Sequence, residues 1–352
     1  MKVGIVTLVG NNYGNRLQNY ALQESIRSLD SNIEVYTFKR NYSRDVFLGK
    51  CKHLFKSISH PDNSINREIK RKFSGFNHKY ITFSKEILYK SKLNTTLNDY
   101  YDYFVAGSDQ VWNPFYTLTS GTDFLTFADY DKRISYAASM GVSTFPYTKK
   151  DTYRDWIYGM KAISVREEQA KIAIEALTGR QVQVHLDPTM LLDRNEWEKI
   201  ETKPSWYKND RYILMYFLGD EPDIVMNKVK KESLECGTKV IYIYKPSQGK
   251  QYIHDPAEFI WLMHHAEKIY TDSFHGCVFS LIFGKIFTVF ERLGRETNTG
   301  SRIESLLSKF QLYDKADSYV EVSGYDKEKV LSLIENERKK ARLYLCECLN
   351  II

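Results

Sequence analysis

The feature of this sequence that most restricts its fold is a short polar segment around Ser273 and His275, which separates two apolar stretches. Residues 268–270 predict a strand, the apolar run 277–283 predicts a helix, and Ile286–Phe290 predicts a second strand. Such a unit is typical of parallel α/β sheets, which bind ligands at the carboxyl ends of their strands. Because a helix start also favours anions, we expect a site for a phosphorylated substrate here.

The same pattern recurs along the chain in two series. Strands are predicted at 2–9, 33–38, 103–106, 133–139, 161–165 and 182–186, and again at 212–218, 240–244, 268–270 and 286–290. We predict a Rossmann-like domain at 1–192 with a less regular basic arm at about 41–98, a linker at 193–210, a second Rossmann-like domain at 211–325 and a terminal helix at 326–352. Two doubly wound α/β domains with an interdomain cleft match the glycosyltransferase B-type architecture. The pattern is also compatible with another two-domain Rossmann-like arrangement.

Charge and cysteine content limit the class of protein. The formal net charge is +6, and residues 39–92 hold 14 Lys/Arg against 4 Asp/Glu, which indicates one basic arm and no general nucleic-acid binder. Within it, residues 46–58 predict a basic amphipathic helix, which either rests on an anionic membrane or packs on the domain. Five cysteines without metal-ligand spacing, and no segment suited to a signal peptide or membrane span, favour a cytoplasmic protein that contacts the inner face of the membrane at most peripherally.

The first loop lacks a nucleotide-binding fingerprint. Neither G-x-G-x-x-G nor a P-loop pattern occurs there, which counts against NAD and P-loop chemistry. Asn15, Gln18 and Asn19 instead supply neutral hydrogen-bonding groups that suit sugar hydroxyls. The alternative is that these residues only satisfy turn geometry.

Two later strand ends carry charged residues. Asp109 is a candidate base for a hydroxyl nucleophile, or alternatively a helix cap, and we expect it to face the cleft together with Trp112. Arg166 follows a strand directly and is suited to a carboxylate or phosphate, unless it pairs with Glu167 or Glu168.

His275 is the candidate acid, with a buried structural histidine as the alternative. Downstream cations form a candidate anion clamp: Lys285, Arg292, Arg295 and Arg302, with Asn298 among them. The eight histidines lack the spacing of a metal site, so no metal is expected.

Taken together, several segments resemble the polysaccharide pyruvyl transferase family. They occur in family order between residues 12 and 302: NYGNRLQNYAL from Asn12, GSDQVWN from Gly107, SYAAS from Ser135, VRE from Val165, Asp187-Pro188, DSFHG from Asp272, and Ser301-Arg302. Each segment is weak alone, whereas the ordered set is fairly specific and covers most of the chain.

The resemblance implies phosphoenolpyruvate as co-substrate and a sugar of a capsular or other cell-surface glycan, lipid-linked or free, as acceptor. The product would be a pyruvate ketal, and no metal or further cofactor would be required. The first domain would hold the acceptor and the second the donor. His275 corresponds to the family's histidine, Arg166 to its arginine, and Arg295 stands where some members carry a lysine.

On this basis we assign His275 as acid and Asp109 as base. The expected acceptor-binding residues are Asn15, Gln18, Asn19 and Trp112, and the expected donor-binding residues are Arg166, Ser273, Gly276, Lys285, Arg295, Asn298 and Arg302. Two alternatives stay open: a nucleotide-sugar-dependent glycosyltransferase of the same fold, and an inactive glycan-binding protein.

Overall fold

The computed structural model describes residues 1–41, 63–89, 94–243, 253–293, 300–313 and 319–351. The chain divides into two compact units. The first comprises Met1–Arg67, Asn77–Leu191 and Lys339–Ile352, and the second comprises Glu68–Phe76 and Leu192–Arg338. The predicted amphipathic helix at 46–58 lies outside the described residues.

The first unit is built on a five-stranded parallel sheet of order β3-β2-β1-β4-β5. Its strands are β1 (Lys2–Val6), β2 (Glu34–Asn41), β3 (Phe83–Tyr89), β4 (Tyr103–Gly107) and β5 (Arg133–Tyr136). A parallel pair, β6 (Ser164–Val165) and β7 (Gln183–Val184), continues the strand series. Two parallel bridges, Ile134 with Ala162 and Ala138 with Val165, join β5 and the chain just after it to this region. The carboxyl ends of β4, β5 and β6 therefore meet at one edge.

Helices cover the first sheet. They are α1 (Tyr13–Arg27), part of α2 (Asn63–Tyr80), α3 (Lys150–Tyr158) and α4 (Glu168–Thr178). The apolar face of α1 buries Leu17, Ala21 and Leu22, as the helical spacing predicts. The sequence predicts less regular structure at about 41–98. This prediction is wrong at α2 and β3, which are a regular helix and a regular strand.

The second unit repeats the plan. Its sheet has the order β12-β11-β10-β8-β9, parallel except for β12. The strands are β8 (Tyr212–Tyr216), β9 (Lys239–Ile243), β10 (Lys268–Thr271), β11 (Ile286–Phe290) and β12 (Tyr319–Val322). The helices are α5 (Arg194–Glu198), α6 (Asp223–Cys236), α7 (Pro256–His265), α8 (Phe274–Ile282), α9 (Gly300–Lys309) and the first half of α10 (Lys327–Cys348).

The structure confirms the predicted α/β fold with two Rossmann-like, doubly wound units. Two such units make up the glycosyltransferase B-type architecture.

Two segments belong to hydrophobic cores in a way that was not predicted from the sequence. The predicted linker contains α5, and its Trp197 is fully buried against Phe279. The end of α10 returns to the first unit, where Tyr344 and Leu345 pack in the core and the Tyr344 hydroxyl donates to the carbonyl of Ser135 at 2.8 Å. No helix among the described residues has the length and apolar character needed to cross a bilayer.

Candidate functional site

In the second unit, the predicted polar segment lies at the carboxyl end of β10, the middle strand of the sheet. Helix α8 begins at Phe274, and Ser273 is its N-cap residue without a side-chain capping bond. His275 therefore lies in the first turn of α8, two residues before the predicted run. Its side chain contacts the Phe274 ring edge-on, and the residue is 7% exposed. His275 is therefore largely buried, and the Nε2 atom of its imidazole is fully buried.

Asp272 organises the loops around this helix start. Its carboxylate accepts the backbone N–H of Leu218 at 2.7 Å and of Gly219 at 2.8 Å, which ties the end of β8 to the end of β10. Arg292 donates its Nε to this carboxylate at 3.1 Å and a terminal N–H to the carbonyl of Asp272 at 3.0 Å. The predicted clamp included Arg292 as a cation, but its guanidinium is engaged in holding the loops.

The remaining predicted donor residues fall into three groups. Arg302 is buried on the first turn of α9, which packs against α8. Arg295 and Asn298 lie outside the described residues. Lys285 was expected to bind the donor near His275, but its position does not agree with this prediction. It precedes β11, and β11 runs parallel to β10. It therefore lies at the amino edge of the sheet, whereas His275 lies beyond the carboxyl edge.

In the first unit, Asp109 follows β4 in a left-handed backbone conformation with φ of 57°, which is uncommon for a non-glycine residue. Its carboxylate accepts the N–H of Gln110 at 2.9 Å and a hydrogen bond from the Asn15 amide. Backbone strain of this kind persists where the surrounding structure enforces it, and it concentrates at functional sites. The side chain is 11% exposed, so Asp109 is the carboxylate of this edge that solvent still reaches.

Arg166 lies beside Asp109 in a buried ion network. Its guanidinium contacts the carboxylates of Asp187 at 2.5 Å, Glu167 at 3.8 Å and Asp109 at 3.9 Å. The predicted alternative, an ion pair with Glu167, therefore does form, together with a shorter one to Asp187. Arg166 is already neutralised by protein carboxylates, which argues against its assignment as a donor-binding cation.

Arg16 is a second buried guanidinium at this edge. It donates to the carbonyl of Leu8 at 2.8 Å, and burial lowers its pKa to about 10 although nearby Asp109 acts to raise it. No role for Arg16 or Asp187 was predicted from the sequence. Both residues belong to the segments that carry the family resemblance, so the sequence did contain a signal for them.

Three of the four expected acceptor residues are internal. Gln18 and Asn19 are fully buried and donate to the hydroxyls of Thr7 at 2.8 Å and Thr37 at 2.7 Å. Trp112 is 0% exposed, stacks on Phe124 and donates to a backbone carbonyl, so it belongs to the core and offers no surface to a sugar. Asn15 is the expected acceptor residue that stays at the strand edge beside Asp109.

A histidine cluster occurs away from these edges. Ligand atoms of Glu201, His264 and His265 lie within 4.8 Å of one another. His264 is held by Glu201 on Nδ1 at 2.8 Å and by Arg194 on Nε2 at 2.8 Å. A guanidinium in direct contact with the imidazole disfavours an additional cation there.

The sequence model of the polysaccharide pyruvyl transferase family matches residues 12–292, from the N-cap of α1 to the arginine that holds Asp272. The chain belongs to the polysaccharide pyruvyl transferase family. The matched range includes Asp109, Arg166, Asp187 and His275. Both strand edges described above are therefore family segments.

Several solved structures show a remote likeness to this chain. UDP-GlcNAc 2-epimerase from Neisseria meningitidis is 12% identical with a TM-score of 0.47, covering 100% of both chains. The Methanocaldococcus jannaschii UDP-GlcNAc 2-epimerase is 12% identical with a TM-score of 0.49, covering 95% of this chain and 92% of the other. The ADP-heptose LPS heptosyltransferase II of E. coli is 9% identical with a TM-score of 0.36, covering 97% and 99%. Curated protein sequences give no significant match.

The close packing of α8 on β10 leads to a first prediction. A Cβ at Gly276 would overlap the Thr271 side chain, whose hydroxyl is fixed by donating to the carbonyl of Tyr216 at 2.7 Å. We expect Gly276→Ala to lower the free energy of unfolding by about 1–3 kcal/mol. Gly75→Ala is the matched control, because it lies in a helix with nothing within 4 Å of the new Cβ and should stabilise by about 0.5–1 kcal/mol. Denaturant unfolding of both variants measures the difference, and equal effects would contradict the packing argument.

Proposed function

We propose that this family member transfers the pyruvyl group of phosphoenolpyruvate to a sugar hydroxyl of a cell-surface glycan and closes it as a ketal. The observation that carries the proposal is the family segment at the start of α8, which presents His275 in the first turn of a helix at a parallel strand end. First-turn amides have no partner within the helix and favour a phosphate. An imidazole in the same turn can supply a proton near neutral pH.

The reaction is a sequence of proton transfers and two additions. His275 as imidazolium protonates C3 of the enol, which makes C2 electrophilic. A sugar hydroxyl adds to C2 and loses its proton to a base. Asp109 stays the predicted base, because its carboxylate is the most exposed of the three around Arg166. The C2–O bond to phosphate breaks and phosphate leaves. A second hydroxyl then adds to C2 and gives its proton to the departing phosphate. The net change is phosphoenolpyruvate plus a diol to ketal plus phosphate, without change of oxidation state and without a further cofactor.

The donor-binding residues that we propose differ from the set predicted from the sequence. Ser273, Gly276 and buried Arg302 remain proposed donor residues, because they lie on the first turns of the packed pair α8 and α9. Arg295 and Asn298 stay predictions. Arg166 and Lys285 are withdrawn from the donor set, the first because carboxylates already surround it and the second because it lies at the opposite sheet edge.

A turnover assay tests the proposal. The protein is incubated with phosphoenolpyruvate and a panel of free and lipid-linked glycans, and inorganic phosphate and the ketal are measured together. We expect phosphate release that depends on the acceptor and is matched by ketal formation. Transfer from UDP- or GDP-sugars with no release from phosphoenolpyruvate would replace the proposal with a glycosyltransferase activity. Glycan binding without turnover of any donor would contradict the proposal and indicate an inactive glycan-binding protein.

A further inference from the structure

A cavity in the second unit lies away from the His275 segment. It has a volume of about 580 Å³ and lies between the end of α8, the start of α10 and α5. Helix α8 runs from the carboxyl edge of the sheet, where His275 lies, to the amino edge, where Ile282 and Phe283 line this cavity. The volume is within the range of small-molecule sites. A ligand bound here would not be the proposed donor.

Part of the cavity lining is basic. It consists of Arg194, Lys327 and Arg338. Each arginine has a carboxylate partner, because Arg194 pairs with Glu198 at 2.7 Å and Arg338 pairs with Glu335 at 3.2 Å. No described carboxylate forms a hydrogen bond or ion pair with the ammonium of Lys327, which therefore contributes an uncompensated charge.

Lys285 adds to this charge. It is half-buried just before β11, and burial lowers the pKa of its ammonium, with further lowering by nearby Arg194 and Lys327. Glu267 acts in the opposite direction, but its carboxylate is engaged by Arg211, at 2.9 Å from the arginine Nη2. Cations held together in this way repel one another, and a bound anion relieves the repulsion.

Part of the lining is apolar. It consists of Ile282, Phe283 and Leu331, and Leu331, one helical turn after Lys327 on α10, is 42% exposed although it is a large hydrophobic residue. Two acidic residues also line the cavity. Glu335 pairs with Arg338, and the Asp193 carboxylate accepts the N–H of Glu196 as the cap of α5. The cavity thus offers an anion site beside an apolar surface.

We propose that this cavity binds an organic phosphate or diphosphate that carries an apolar group. The phosphate lies between Lys327, Arg194 and Lys285, and the apolar group lies on Phe283 and Leu331. The chemistry is shared by a lipid phosphate in a membrane and by a soluble isoprenoid diphosphate. The proposal does not depend on the proposed transferase reaction, since it concerns binding alone.

Calorimetric titration with inorganic pyrophosphate and with geranyl diphosphate tests the site. We expect wild-type protein to bind geranyl diphosphate more tightly than pyrophosphate, and Lys327→Gln to weaken both by about tenfold. Lys329→Gln is the matched control, because this exposed lysine of the same helix bonds Gln311 at 2.8 Å outside the cavity. Leu331→Asn should weaken geranyl diphosphate only, whereas Leu343→Asn, a similarly exposed leucine of α10, should change neither.

Three outcomes would overturn the proposal: no binding of either probe to the wild type, equal binding by the Lys327→Gln and Lys329→Gln variants, or equal affinity for pyrophosphate and geranyl diphosphate. Thermal unfolding of each variant confirms that it is folded. Sedimentation with phosphatidylglycerol vesicles against phosphatidylcholine vesicles identifies the source. Vesicle binding that is lost in Lys327→Gln assigns a lipid phosphate, and vesicle binding that is absent or equal in both lysine variants assigns a soluble ligand.

Discussion

Replacement of His275 by alanine is expected to lower acceptor-dependent phosphate release from phosphoenolpyruvate by about 10²–10⁴-fold, because the proposed proton donor to C3 is lost. His275 lies in the first turn of α8 at the end of the central strand, where ligands of parallel sheets bind. The measurement is a steady-state phosphate assay with a saturating glycan acceptor.

The burial of His275 calls for two controls. His275→Gln retains a polar side chain of similar reach, so it separates loss of the proton from loss of packing, and it should remain as slow as the alanine variant. His78→Ala, at an exposed position of α2, should leave the rate unchanged. Thermal unfolding shows whether each variant is folded. A folded His275→Ala protein that turns over at the wild-type rate would remove His275 from the mechanism.

Replacement of Arg166 by methionine is expected to lower the free energy of unfolding by about 3–5 kcal/mol, because it leaves the buried carboxylates of Asp187 and Glu167 without their cation. Denaturant unfolding measures the change. Arg154→Met is the surface control, since this arginine pairs with exposed Asp151 and should change stability by about 0.5 kcal/mol or less.

A double variant sharpens this test. Arg166→Met combined with Asp187→Leu removes both members of the shortest pair, so we expect it to recover much of the lost stability. The original assignment of Arg166 to the donor predicts a different result, namely a normally stable Arg166→Met protein with a raised KM for phosphoenolpyruvate. That result would contradict the ion-network interpretation and restore the donor role.

Strands and helices could be predicted from the sequence where apolar residues recur at short, regular spacing. Strand β11 occurs at its predicted bounds, and strand β10 extends one residue beyond its predicted end. The start of α8 was missed by three residues, because Phe274 and His275 read as part of a polar loop. Helix α2 was missed altogether, although Ile69, Phe73 and Phe76 recur at helical spacing and are buried. Its many cations obscured that apolar face.

The local sequence pattern was not enough to predict at which edge of a sheet a residue lies. Lys285 is ten residues from His275 in sequence, yet α8 carries the chain from one sheet edge to the other, so the two residues lie at opposite ends. Trp112 is three residues from Asp109, but the chain turns after the strained Asp109 and places the indole in the core. Proximity in sequence was a poor guide to proximity in space at both positions.

By itself, the sequence determined the family and the α/β class, because ordered motifs and hydrophobic period depend only on near neighbours along the chain. Only the tertiary structure decided that Arg166 is enclosed by Asp109, Glu167 and Asp187, and that the end of α10 completes the core of the first unit. Apart from the contact of Arg166 with its neighbour Glu167, these contacts join residues from about 20 to more than 200 positions apart. They form because burial of charge and apolar surface is decided by packing across the whole unit.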